Sequence, residues 1–262
     1  MRHIVNLCMI VVSLMSFVGC AVEDAGSRST EPMARIMWRT SKSHIAIVSS
    51  AIEDVVHANE LLNIADEQKR AEYMGRYFDG ATSFSEITNG FVITKLMGDS
   101  RISWVVTTNG HAFGQGDWTV EFQSGNGYTM VVRPNNGEYR AIMSFDYGSQ
   151  RGSSDIYFSY SLVDGEMLGY PDVVSSIIGD IKVTVYESNV STPLCVDTEI
   201  TERLTISEYN GLMSGQLNVD CIDKYYDAHD KLTVLIPLFK NYIELVCYGD
   251  SYQLFNERKL SW

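Results

Sequence analysis

The hydrophobic pattern changes period near Gly80, and no other feature of the chain constrains the fold as strongly. Before this point, apolar residues recur at alternating steps of three and four, which places them on one face of a helix. After it, short runs rich in β-branched and aromatic residues alternate with Gly, Asn, Asp and Ser. The sequence therefore predicts an α+β protein, mainly β, in which a helical segment precedes the strands.

The helical segment is predicted to span residues 42–79 and to contain two helices. The shared face of the first helix carries Ile45, Val48, Ile52, Val55, Asn59 and Leu62. This apolar face is short for a coiled coil and includes the polar Asn59. We therefore prefer the interpretation that the helix packs on a sheet. His44 and His57 lie on the same helix, too far apart to share a metal across one turn, and are predicted to be surface or cap residues.

The strands are predicted to pair in antiparallel fashion. Dipeptides such as Asn89-Gly90 and Asn136-Gly137 separate the runs, and both residue types tolerate the positive φ of tight turns. The predicted strands cover 82–88, 90–97, 101–108, 117–123, 128–133, 138–146, 155–163 and 181–187, with four or five more between 200 and 256. They can form a large antiparallel sheet, a sandwich or a barrel.

A repeated segment predicts an internal duplication. NGHAFGQ begins at Asn109 and NGLMSGQ begins at Asn210. Downstream, each copy has a run that ends in proline and then a tyrosine: Pro134 and Tyr139, then Pro237 and Tyr242. We interpret the chain as two duplicated β-meander halves, residues 80–170 and 171–262. Chance similarity between two glycine-rich β segments is the alternative.

The first residues have the order of a secretory signal. They read MRHIVNLCMIVVSLMSFVGC, with a basic start and an apolar run that is short for a membrane span. The end of this run resembles the lipobox of bacterial lipoproteins, with Phe17 where leucine is commoner. The resemblance implies a signal peptide over residues 1–19 and lipidation of Cys20, which then becomes the mature N-terminus. The alternative is an ordinary secretory peptide with a chance cysteine.

The anchor implied by Cys20 makes a membrane the first predicted partner. Ala21 behind the cysteine, rather than aspartate, resembles a signal for the outer membrane of Gram-negative bacteria. Residues 20–41 are small, polar and turn-prone, and are predicted to be a flexible tether. With 33 acidic and 20 basic residues the formal charge is −13, so the chain lacks the basic surface that nucleic-acid binding requires.

The densest polar cluster, near residues 220–230, is a candidate metal site. Its proposed ligands are Asp223, Asp227, His229 and Asp230. Carboxylates at such spacing can bind calcium, and the histidine can add a ligand for a transition metal. The glycine-bearing loop of an EF-hand is missing, and a solvated acidic turn is the alternative. No cofactor is predicted.

Cysteines and tyrosines give two further candidates. Cys221 and Cys247 are the predicted disulfide pair in an oxidising envelope, with free thiols as the alternative. The candidate ligand-binding tyrosines are Tyr157, Tyr160, Tyr225 and Tyr226. Their rings can stack on sugars or anchor a protein partner, although cross-strand packing is also compatible with the pattern.

These features predict a cell-envelope lipoprotein with a non-catalytic, β-rich binding or scaffolding body, whose ligand is a glycan, a lipid or a protein. The sequence contains no G-x-S-x-G elbow, Walker loop or S-x-x-K motif, so an enzyme is not predicted. A self-assembling structural or adhesive component is the first alternative. A hydrolase that uses the 220–230 cluster, with His229 or His111, is the second.

Overall fold

The structure, a computed structural model, describes residues 30–77, 81–88, 90–97, 100–107, 120–124, 127–135, 138–146, 148, 150–160, 162–163, 166–167, 174–186, 197–209, 212–224 and 227–257. The helices are α1 (Glu31–Asn63) and α2 (Glu67–Tyr77). The strands are β1 (Ala81–Ile87), β2 (Gly90–Met97), β3 (Ser100–Thr107), β4 (Val120–Ser124), β5 (Tyr128–Asn135), β6 (Glu138–Asp146), β7 (Gln150–Tyr160), β8 (Leu162–Val163), β9 (Glu166–Met167), β10 (Val174–Val185), β11 (Thr198–Tyr209), β12 (Leu212–Asp223), β13 (Ala228–Ile236), β14 (Tyr242–Cys247) and β15 (Asp250–Phe255).

Thirteen of these strands form one antiparallel sheet in the order of the chain. The short strands β8 and β9 form a separate pair, so β7 is hydrogen-bonded directly to β10. The predicted fold class is confirmed: the protein is mainly β, with helices first and a large antiparallel sheet afterwards. Neighbouring strands of the sheet are also neighbours along the chain, except that β8 and β9 lie between β7 and β10.

Helix α1 crosses the sheet instead of running along its strands. At its start, the Thr30 hydroxyl donates to Asp250 at 2.9 Å, next to the last strand. Further along, Asp54 accepts a hydrogen bond of 2.8 Å from the Tyr128 hydroxyl, at the start of β5. Within the described residues, neither helix has an apolar stretch long enough to span a bilayer.

The middle of α1 is buried on more than one side. The positions from Ala51 to Ala58 are buried, except for Asp54, which is half-buried. A helix that rests on a flat sheet keeps a solvent-exposed face, so burial all around means that the sheet curls about the helix. We call the sheet face toward α1 the inner face and the opposite face the outer face.

The predicted flexible tether over 20–41 is wrong in its second part, because α1 begins at Glu31. Pro32 lies in the first helical turn, where its missing N–H leaves no hydrogen bond unmade. Ala34, Met37 and Trp38 follow at helical spacing, and all three are buried. The helix is therefore attached to the core before the predicted boundary at residue 42.

Two glycines allow close approach between long strands. Gly179 on β10 has a φ of +152°, and an added Cβ would overlap the carbonyl oxygen of Asp155 on β7. Gly215 on β12 has a φ of +132°, and its Cβ would overlap the carbonyl oxygen of Thr205. Residues with a side chain rarely adopt such backbone angles, so glycine is required at both positions.

One part of the proposed duplication does not match in the structure. The first loop, at Asn109, lies outside the described residues. Tyr139 lies on the inner face and stacks on Phe158, with ring centroids 5.5 Å apart. Its counterpart Tyr242 lies on the outer face and meets the exposed Phe255. A one-residue offset along a strand moves a side chain to the opposite face of the sheet. Tyr139 and Tyr242 therefore do not occupy equivalent positions.

Candidate functional site

The structure divides the predicted metal ligands between the two faces of the sheet. On β12 and β13, Asp223 pairs with Ala228, and His229 pairs with Ile222. Asp223 and Asp230 therefore lie on the inner side of the hairpin, whereas His229 lies on the outer side. Asp227 is an exposed turn residue with a φ of +50°.

Two of these side chains have partners on different residues. His229 Nε2 is hydrogen-bonded to Asp220, and the Tyr248 hydroxyl donates to Asp230. This bond, together with burial and the charge of Asp230, raises the pKa of Tyr248 to about 12. In the described part of the chain no three His, Cys, Asp or Glu side chains are grouped to hold a metal. The four predicted ligands therefore do not assemble the predicted metal site. His111, the other histidine of the hydrolase hypothesis, lies outside the described residues.

The predicted disulfide between Cys221 and Cys247 is wrong. Both cysteines are buried, and they are not joined in a disulfide. They lie on β12 and β14, which are separated by β13. Two strand spacings amount to about 9–10 Å, beyond the Cα distance of about 7 Å that a disulfide spans. Cys195 lies outside the described residues.

The candidate tyrosines are not brought together in the described structure. Tyr225 and Tyr226, like the predicted lipidation site Cys20, lie outside the described residues. Tyr160 is the last residue of β7. Tyr157 lies on the outer face of the same strand, where it pairs with Arg140 on one side and Ile178 on the other. Among the candidate tyrosines whose side chains the structure describes, Tyr157 adjoins a feature that can bind a ligand.

That feature is an open hollow of about 630 Å³ on the outer face of β10, β11 and β12. Polar side chains from three adjacent strands line it: Asp180, Arg203, Thr205, Gln216 and Asn218. Ile178 adds an apolar side chain, which is 39% exposed and faces Tyr157 across the strands. We call this feature, together with Tyr157, the outer hollow.

An ion pair between Arg140 and Asp155 lies beside the hollow. Arg140 binds Asp155 through two hydrogen bonds of 2.7 and 2.5 Å, and these bonds lower the pKa of Asp155 more than burial raises it. The Arg140 guanidinium also lies 5.6 Å from the ring centroid of Tyr157. It covers one side of that ring, and Ile178 is the directly opposite residue on the other side.

Arg203 is held much less tightly than Arg140. Its guanidinium lies 3.9 Å from Asp180, at the limit of an ion pair, and its side chain is largely exposed. Asn218, directly opposite Arg203, accepts hydrogen bonds on Oδ1 from Gln216 at 3.0 Å and Thr233 at 3.1 Å. These bonds orient the amide so that its Nδ2 donor is the end that remains for another partner. The hollow therefore presents donors from Arg203 and Asn218 beside the acceptor Asp180.

Sequence reasoning missed the buried histidines. His44 is 1% exposed, and its Nδ1 lies 2.8 Å from Glu202 Oε1 on β11, which is itself completely buried. Its Nε2 lies 3.2 Å from the amide oxygen of Gln150 on β7. Because both ring nitrogens face acceptors, the geometry fits a protonated imidazole. The second oxygen of Glu202 is buried without a hydrogen-bond partner among the described residues.

Their surroundings shift the pKa values of the two histidines in opposite directions. Burial lowers the pKa of His44, but the charge of Glu202 and the hydrogen bonds to Glu202 and Gln150 outweigh burial and raise the pKa. A hydrogen bond of the His57 ring joins Nδ1 to the Tyr73 hydroxyl at 3.1 Å. Burial lowers the pKa of His57 to about 4. Both side chains belong to the packing of α1 and lie far from solvent, unlike the outer hollow.

Comparison with known protein families, curated proteins and solved structures finds no match to this chain.

Proposed function

We propose that the protein is a lipid-anchored component of the bacterial cell envelope whose body binds a glycan at the outer hollow. The observation that carries this proposal is the convergence of polar side chains from three strands in an open hollow, next to which Tyr157 lies opposite Ile178. Sugars present hydroxyl groups that both donate and accept hydrogen bonds, and their apolar ring faces stack on aromatic rings.

The chemistry of the hollow favours a glycan over the other ligand classes predicted from the sequence. A lipid chain requires an enclosed apolar cavity, whereas this hollow is open and lined mainly by polar groups. The donors of Arg203 and Asn218 and the acceptor Asp180 match alternating sugar hydroxyls. No catalytic step is part of this proposal.

Membrane attachment rests on the sequence around Cys20. The basic start, the apolar run and the cysteine have the order of a lipoprotein signal. We expect mass spectrometry of the N-terminal peptide to show a diacylglyceryl-modified, acylated Cys20, and we expect Cys20→Ala to release the protein from the membrane fraction. An unmodified N-terminus on the secreted chain would contradict the anchor and leave the glycan proposal standing.

Glycan binding is tested by screening the full chain on a glycan array and measuring the affinity of the best ligand by calorimetry. Arg203→Gln and Asn218→Ala each remove a donor, and each is expected to weaken binding about ten-fold. The matched control is Arg39→Gln, which removes an exposed arginine from α1, on the other side of the sheet from the hollow. Binding that is absent, or that falls equally in the control, contradicts the proposal.

A further inference from the structure

Two apolar side chains form the tip of the hairpin between β13 and β14. The Lys240 N–H donates to the Pro237 carbonyl at 3.4 Å, so Leu238 and Phe239 are the central residues of the turn. Phe239 is 91% exposed and Leu238 is 43% exposed. Removing such apolar side chains from water is favourable.

The geometry of the turn does not require these residues. Turn positions favour Gly, Asn, Asp and Pro, whose backbone preferences fit tight bends. Other turns of this chain follow that rule, with positive φ at Gly127, Gly148 and Asp227. An exposed leucine and phenylalanine at this tip are therefore explained better by contact with another surface than by the needs of the hairpin.

Neighbouring aromatic rings extend the apolar surface. Tyr242, the first residue of β14, pairs with Phe255, the last residue of β15. Their ring centroids are 5.7 Å apart in an edge-to-face arrangement, and more than half of Phe255 is exposed. We call Leu238, Phe239, Tyr242 and Phe255 the apolar tip.

We propose that the apolar tip inserts into the interface of the lipid bilayer that holds the anchor. This inference rests on the membrane attachment proposed for Cys20. The tip lies at the opposite end of β14 from the turn beside which α1 begins, a separation of about 20 Å for six residues. The chain from Cys20 to Thr30 reaches about 33–36 Å when extended. The anchor and the tip can therefore contact the same membrane.

The shape of the tip favours a bilayer over a protein partner. Its most exposed residue, Phe239, is a central residue of a hairpin turn, and a soft lipid interface accepts such a projection without a matching pocket. The formal charge of −13 opposes attraction to anionic headgroups. Insertion therefore depends on apolar burial and requires no anionic lipid.

Quenching by brominated lipid tests the insertion. The full chain carrying Phe239→Trp is mixed with phosphatidylcholine vesicles whose acyl chains are brominated. The matched control is Tyr248→Trp, which places the same residue at an exposed aromatic position at the other end of β14. Relative to the unsubstituted chain, we expect the emission added at position 239 to fall by at least half, and that added at position 248 to remain unquenched.

Other outcomes overturn the inference. Equal quenching at both positions, or none at position 239, contradicts insertion of the tip. Quenching that requires phosphatidylglycerol and disappears in salt indicates headgroup attraction instead. If Phe239→Ser converts a dimer into a monomer, the tip binds a second copy and not lipid. Mass spectrometry of Cys20 separates the two proposals, since an acylated chain with an unquenched tip refutes only the insertion.

Discussion

His44 and His57 lie on the same helix, but their surroundings favour opposite charge states. Glu202 accounts for the raised pKa of His44, because its buried carboxylate is hydrogen-bonded to the His44 ring. Removing one partner of a buried ion pair leaves the other charged without compensation. We therefore expect His44→Ala to lower the free energy of unfolding by about 3–5 kcal/mol, measured by urea denaturation followed by circular dichroism.

The control for His44→Ala is Arg35→Ala, which removes a surface ion pair on the same helix. Arg35 and Glu31 form an ion pair of 2.6 Å one turn apart, and both side chains are partly exposed to water. Arg35→Ala is expected to lower the free energy of unfolding by only about 0.3–0.5 kcal/mol. Equal losses in the two variants would show that the pair between His44 and Glu202 contributes no more than a surface pair.

The pH dependence of stability should differ in sign for the two histidines. The raised pKa of His44 gives a contribution that is complete below its ordinary value of 6.5 and is lost as pH rises through the folded pKa. The lowered pKa of His57 gives a contribution that is present above 6.5 and is lost as pH falls toward about 4. Together the two groups favour maximal stability near pH 6.5.

His57→Gln tests the acid side of this profile. The folded protein disfavours the charged form of His57, which lowers the free energy of unfolding by about 3 kcal/mol between pH 6.5 and 4. The variant removes this loss because glutamine does not titrate. We expect the slope of the unfolding free energy between pH 6.5 and 4 to fall by up to about 1.4 kcal/mol per pH unit, measured by urea denaturation at several pH values. An unchanged slope would mean that His57 is protonated in the folded protein.

The burial of these histidines could not be predicted from their own helix. His44 and Glu202 are 158 residues apart, and nothing near either residue in the sequence indicates the other. Tyr157 was a candidate from its residue type alone, but the hollow beside it depends on Arg203 and Asn218, which become neighbours through the register of two strands. Residue types predict which chemistry is possible, whereas register decides which groups meet.

At the scale of elements, strands with clear alternation and strong turns were predicted closely. β2 and β6 were predicted at 90–97 and 138–146, and the structure has the same bounds. β7 and β10 begin several residues earlier than predicted, at Gln150 and Val174. Their first residues include Ser, Gly and Asp, which have weak β-propensity, but pairing on both sides holds them in the sheet.

Gly179 allows a direct test of close packing between strands. Gly179→Ala places a Cβ on the carbonyl of Asp155 and forces an unfavourable φ, so we expect a loss of about 1–3 kcal/mol in the free energy of unfolding. Gly75→Ala is the control, because its Cβ meets nothing within 4 Å on the exposed side of α2. This control is expected to stabilise the protein by about 0.5–1 kcal/mol. Scanning calorimetry that shows both variants tolerated alike would contradict the close approach.

At the scale of the whole molecule, the boundary between the proposed halves runs through a continuous part of the sheet. β7 pairs with β10 from Gln150 opposite Val185 to Tyr160 opposite Val174. Helix α1 also contacts β4 in the first half and β10, β13 and β14 in the second. Neither half can therefore unfold without exposing the inner face of the other.

We accordingly expect one cooperative unfolding transition, in which tryptophan fluorescence and far-UV circular dichroism change together. Ile93 on β2 and Leu245 on β14 are both completely buried, one in each half. Replacing either by alanine is expected to lower the free energy of unfolding by about 2–5 kcal/mol and to move the same single transition. If each substitution instead shifted a separate transition, the halves would be independent domains, and the curled sheet around α1 would not be the folding unit.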